Sequence, residues 1–240
     1  MNQIKKLKLR LNECFKHYPQ AHHFYDGPYH GGKSFYSYYL DEEGMRVFDG
    51  PFHYQLSCVS SYGSILHNEA QGRFLNGLKN GVWHYYYKSG THTMKLTVNY
   101  VKGSIDGQVY YEEITTNMIK RKSAKTKIAF HSSQRKPTGA VEGFMHGHKI
   151  KALLDAEGLP HDEWSSEIFD NEHGEWKVVE LWNHGRLEKA ERNLFTYGRK
   201  ETIAPYMCQK LNELIDEINH TMLRIVQHGS QGGLSYIPCL

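Results

Sequence analysis

Gly72-Arg73-Phe74-Leu75-Asn76-Gly77-Leu78-Lys79-Asn80-Gly81-Val82-Trp83-His84-Tyr85 is the stretch that decides the fold. Asn76-Gly77 and Asn80-Gly81 mark tight turns, because Asn and Gly tolerate the positive φ that such turns require. Trp83, Tyr85 and Tyr87 then recur at every second position. Period-two aromatics beside an Asn-Gly signal read as a β-hairpin.

Working outward, the pattern repeats. Tyr25-Asp26-Gly27-Pro28-Tyr29, Phe48-Asp49-Gly50-Pro51-Phe52, Ala70-Gln71-Gly72-Arg73-Phe74 and Ser104-Ile105-Asp106-Gly107-Gln108-Val109-Tyr110 align. Gly27 to Gly50 is 23 residues and Gly50 to Gly72 is 22. Weaker copies stand at Val141-Glu142-Gly143-Phe144 and His173-Gly174-Glu175-Trp176. Tyr36, Tyr38 and Leu40 alternate as the later aromatics do, and Glu42-Glu43-Gly44 and Lys88-Ser89-Gly90 supply further turns. One hairpin is marginal in water, but stacked hairpins bury a continuous face.

These residues resemble the MORN repeat in its bacterial variant. Tyr25 to Lys33 carries the opening of the pattern, Gly72 to Tyr85 carries the variant, and the likeness covers residues 24–185. The resemblance implies an elongated, single-layer, curved antiparallel sheet. It also implies interaction roles: protein scaffolding, dimerisation and contact with acidic lipids.

The expected fold is therefore mainly β, an elongated single-layer antiparallel sheet of MORN-like hairpins with a C-terminal capping α-helix. Residues 1–23 form an N-terminal segment, read as a helix because Ile4, Leu7, Leu11, Cys14 and Phe15 share a stripe. Residues 24–200 form the array, with a basic insertion at 118–136 that breaks the period. Residues 201–240 form a helix and tail. Met207, Leu211, Leu214, Ile215, Ile218, Met222 and Ile225 fall at helical spacing there. Thr202 is the expected N-cap, Pro205 fits the first turn and Gly229 the position after the last turn. The stripe needs a cover. The expected one is the open end of the sheet, with a partner or the sheet's concave face as alternatives.

The 240 residues are 39% hydrophobic and carry 17 Tyr, a residue suited to half-buried positions on a thin structure. The net charge of +3 does not by itself imply nucleic acid. Its distribution is uneven. No acid lies between Ile114 and Val141, whereas eleven fall from Asp155 to Glu191. Cys14, Cys58, Cys208 and Cys239 match no zinc or disulfide framework, so unpaired thiols in a reducing compartment are expected. With no secretory leader pattern and no apolar run long enough to span a bilayer, the expected location is cytoplasmic.

No catalytic constellation is expected, and neither metal nor cofactor. Gly27-Pro28-Tyr29-His30-Gly31-Gly32-Lys33-Ser34 matches the phosphate-loop pattern. A β-aromatic run follows it where a helix should start, and Pro28 removes one backbone donor. His22, His23, His146, His148 and His161 lack ligand spacing. Glu42-Glu43, Glu112-Glu113 and Asp162-Glu163 place adjacent carboxylates on opposite faces of a strand. Two candidate surfaces remain. Tyr36, Tyr38, Trp83, Tyr85 and Tyr87 form an aromatic face fit for a protein partner or self-association. Lys120, Arg121, Lys122, Lys125 and Lys127 form a basic stretch that could meet phosphates on nucleic acid or an anionic membrane. The expected function is a non-enzymatic interaction or scaffolding module, with phosphate binding through the basic stretch or nucleotide binding at Lys33 as alternatives.

Overall fold

The computed structural model describes residues 22–59, 63–117, 122–145, 148–170, 174–194 and 199–225. Fourteen strands follow one another: β1 (His23–Tyr29), β2 (Gly32–Leu40), β3 (Arg46–Val59), β4 (Ile65–Leu75), β5 (Leu78–Ser89), β6 (His92–Val101) and β7 (Ser104–Asn117), then β8 (Lys122–Ser133), β9 (Lys136–Met145), β10 (His148–Leu154), β11 (Pro160–Asp170), β12 (Gly174–Asn183), β13 (Arg186–Leu194) and β14 (Arg199–Thr202). Each pairs antiparallel with its sequence neighbours, so one open sheet runs in strand order from β1 to β14. The fold class is the one expected. One helix is described after the sheet, α1 (Met207–Ile225). The helix expected within residues 1–23 lies almost wholly outside the described residues.

The register repeats every two strands, a unit other than the 22–23-residue spacing, since the Gly50 and Gly72 copies stand on the adjacent strands β3 and β4 and pair with each other. Register shifts break the pairings β2–β3, β4–β5, β6–β7, β8–β9, β10–β11 and β12–β13. The pairings between them run straight. The structural unit is thus two strands, one bulge and one turn, with the turns of all six bulged pairs on the same sheet edge. At Asn76 and Gly77, φ is 50° and 76°, the left-handed pair that a two-residue hairpin needs. The Gly77 N–H then donates to Phe48 O at 2.7 Å, which ties that turn to the preceding hairpin. Gly103, Arg135 and Gly185 tie their turns back in the same way, each at 2.8 Å.

The segment 118–136 differs from expectation. Lys122–Ser133 is a regular strand, paired with β7 without a break from Gly107 to Asn117. Lys125 and Lys127 face outward while Thr126, Ile128 and Phe130 are buried, so cations on alternate positions hid a normal strand pattern.

One face of the sheet is the core. Tyr36, Phe52, Phe74, Trp83, Tyr85, Leu96, Tyr111, Ile128, Ile150, Trp164 and Val178 are buried on it together with Met207, Leu211, Leu214, Ile215 and Ile218 of α1. Among the covers open to α1, the sheet's own face is the one it takes. The helix contacts β4, β5 and β11. Its 19 residues are about 28 Å long, the width of roughly six strand spacings, so it must run across the strands to reach them. Leu211, Leu214 and Ile215 also line a small cavity together with Ile128, Phe130, Pro137 and Val141 of β8 and β9. Thr202 ends β14 and is not the cap. The Oε1 of Glu180, fully buried on β12, accepts from the Tyr206 N–H at 2.6 Å and the Met207 N–H at 2.9 Å. A strand carboxylate therefore caps the helix and complements its dipole. Cys208 is disulfide-bonded, which overturns the expectation that all four thiols are unpaired. Cys58 is free and exposed.

Candidate functional site

The core face is not available to a partner. Tyr36, Trp83 and Tyr85 are buried, and Tyr38 and Tyr87 are half-buried and packed against the core. The aromatic surface expected to dock a partner is consumed in folding. The rings meet mainly edge-to-face or offset, as Phe74 and Trp83 do at 5.0 Å and 83°.

Within this face lies a group that the sequence pattern alone does not single out. Lys79 is fully buried. Its Nζ donates to Tyr85 Oη at 3.0 Å and lies 4.8 to 5.4 Å from the ring centroids of Trp83, Tyr85 and Tyr100. No carboxylate among the described residues pairs with it. Burial pulls its ammonium down to about 8 and pushes the Tyr100 hydroxyl up to about 12. Desolvation opposes charge on both groups. The folded chain therefore releases the Lys79 proton before the unfolded chain does, and stability rises with pH from about 8 toward 10. Above 10 it falls, because the unfolded chain then ionises tyrosines that the folded chain keeps neutral. A rise on the order of 2 kcal/mol across the first window is expected in urea titrations, and Lys79→Met should flatten it. A wild-type chain with no rise there would contradict this account.

The opposite, outer face is open. A groove of about 800 Å³ crosses β1 to β5 there. Its floor is two register rows. Asp26, Phe35, His53, Gln71 and His84 are successive cross-strand partners, and so are Lys33, Gln55 and Glu69. Val82, 53% exposed, closes one side, and Phe24 stacks on Phe35 at 6.2 Å. A chain of side-chain contacts borders the groove. Ser57 Oγ is 2.7 Å from His67 Nδ1, His67 Nε2 is 3.6 Å from Glu69 Oε2, and Glu69 Oε1 is 2.9 Å from His53 Nε2. The order is serine, imidazole, carboxylate. Strand N–H groups lie in the plane of the sheet and not toward the face that carries Ser57.

The other expected features fall as follows. Gly27 to Ser34 is a hairpin whose turn is His30-Gly31, and Lys33 pairs with Pro28 on strand β2 rather than opening a helix. His161 stacks on His184 at 4.4 Å at the turn edge. His146 lies outside the described residues. No group of three His, Cys, Asp or Glu that could hold a metal is present among the described residues. Lys120 and Arg121 lie outside the described residues, and Lys122 is described only as backbone of β8. Lys125 Nζ is 2.8 Å from Glu112 Oε1, and Lys127 Nζ lies over the Tyr110 ring at 5.5 Å. No described helix is long and apolar enough to cross a membrane. Comparison of the chain with family models, curated proteins and solved structures finds no match.

Proposed function

We propose that this chain is a non-enzymatic interaction module built from MORN-like hairpins, which docks a protein partner or a second copy through the outer groove at β1 to β5. One observation carries the reading. Helix α1 and the aromatics occupy the core face, whereas a mixed apolar and polar groove on the opposite face is open to solvent. Exposed Val82 and Phe24 offer apolar anchors, while His53, Gln71 and Glu69 offer hydrogen-bonding groups around them. Interfaces combine the two in that way.

A cytoplasmic location belongs to the same proposal. The free thiol of Cys58 suits a reducing compartment, and the bridge at Cys208 is the observation against it.

The test is retention of a partner from native lysate at high salt, together with the mass of the purified chain in solution. Val82→Glu is expected to abolish the retained partner, or the self-association, without changing the melting temperature. Trp83→Ala should unfold the chain rather than remove a contact. A partner kept in full by Val82→Glu would overturn the groove reading. Binding of nucleic acid or anionic lipid is the second reading, favoured by lysines that β6 to β10 bring onto the same outer face.

A further inference from the structure

Strands β6 to β10 place Lys95, Lys125, Lys127, Lys149 and Lys151 on the outer face, beyond the groove. The register makes them neighbours although the sequence separates them. One row runs Tyr86, Lys95, Glu112, Lys127, Phe144, Lys149 across six adjacent strands. The adjacent row runs Tyr110, Ala129, Glu142, Lys151. Lys125 stands two residues from Lys127 on β8, on the same side. With strands about 4.8 Å apart and same-face residues about 6.7 Å apart, the five lysines share a patch of roughly 20 by 13 Å.

The patch is positive and stays so. Glu112 is held between Lys125 at 2.8 Å and Lys95 at 3.8 Å. The Lys125 hydrogen bond keeps its carboxyl below the ordinary carboxylate range. Lys95 and Lys125 still expose more than half of their side chains. Lys127, Lys149 and Lys151 are exposed and have no ion pair among the described residues. Against five lysines the patch sets Glu112 and Glu142, with Glu167 of β11 opposite Lys149 at its border, so cations remain in excess. Aromatic rings are interleaved with these cations. Phe144, an apolar ring between Lys127 and Lys149, is 49% exposed, and Tyr110 lies half-exposed under Lys127.

An open sheet face that alternates rings and cations suits a polyanion with unpaired bases. The rings stack on base faces and the ammonium groups meet the phosphates. A duplex hides its base faces, so it would leave Phe144 unused. We propose that the outer face at β6 to β10 binds single-stranded nucleic acid, with Phe144 and Tyr110 as stacking platforms. This surface is separate from the groove at β1 to β5, and either can fail without the other.

The experiment is fluorescence anisotropy of a labelled oligothymidylate of about 16 nucleotides with the full chain, from about 50 to about 200 mM salt. Wild-type binding is expected, with the logarithm of affinity falling against the logarithm of salt at a slope of about −3. Lys127→Glu with Lys149→Glu should weaken binding at least about tenfold and flatten that slope. Phe144→Ala should weaken it about tenfold at an unchanged slope. A duplex of equal length should bind more weakly than the single strand. Both variants alter exposed side chains and should melt as the wild type does, and the wild-type slope tests the surface with no substitution at all. Absence of binding at the lowest salt would overturn the proposal. So would Phe144→Ala binding as the wild type does, or phosphatidylserine vesicles being bound where the oligonucleotide is not.

Discussion

Replacing Gly72 with alanine is expected to lower the unfolding free energy by about 4 kcal/mol, read from urea denaturation. Gly72 sits where β4 shifts register against β5, between Gln71 and Arg73. The Trp83 ring lies directly on it. A methyl group at Gly72 would stand 2.3 Å from Trp83 Cδ2 and 2.4 Å from Cε2. The ring has no room to retreat. It is fully buried, its centroid lies 5.0 Å from Phe74 and 5.7 Å from Phe52, and its Nε1–H donates to Arg73 O at 3.1 Å. The substitution must move the indole, break that hydrogen bond and repack the neighbouring rings, and overpacking of this kind adds to a lost buried hydrogen bond. Because one contact carries the cost, Trp83→Leu should be less harmful in the Gly72→Ala background than in the wild type. A loss below about 1 kcal/mol would show that the indole is not held as described.

Glu180→Ala is the second large effect, expected at about 3–5 kcal/mol. The carboxylate is fully buried and accepts three hydrogen bonds: two from the start of α1, and one from Trp182 Nε1–H at 3.1 Å on its other oxygen. Alanine leaves all three donors without an acceptor in an apolar setting, and an unmet buried donor costs more than a hydrogen bond gains. Helix α1 should then lose its anchor before the sheet loses its ladder. Amide hydrogen exchange should show lost protection at 211–218 while β5 to β7 remain protected. Glu180→Gln keeps one acceptor for the helix but turns an NH₂ toward the Trp182 donor, so its loss should be smaller. Full protection of α1 in the alanine variant would show that the apolar stripe alone holds the helix.

Much of the sheet was legible because its signals are local. Asn76-Gly77 predicts the turn that forms there, and Trp83, Tyr85 and Tyr87 predict a strand, since turn and alternation depend only on near neighbours. The helix stripe from Met207 to Ile218 was equally readable. Lys122–Ser133 was not, because its charges masked the inward alternation of Thr126, Ile128 and Phe130. Glu180 could have been found. It stands at an inward position between Val178 and Trp182, where a carboxylate must have buried donors or be expelled. The helix start was misplaced to Thr202 because its capping oxygen comes from a strand 26 residues earlier.

By itself the sequence determined the strand class, the turn at Asn76-Gly77 and the presence of an amphipathic C-terminal helix, whereas Asn80-Gly81, read as a second tight turn, lies inside β5 at its bulge. Only the tertiary structure decided which face is the core. Alternation yields two candidate faces, and a helix from the far end of the chain covers one of them. That choice turned Tyr36, Trp83 and Tyr85 from an expected binding surface into packing. It also gathered Lys95, Lys127 and Lys149 beside Phe144 on the other face. Spacing along a chain is a local property, whereas adjacency across fourteen strands depends on register, which each turn and bulge sets in three dimensions.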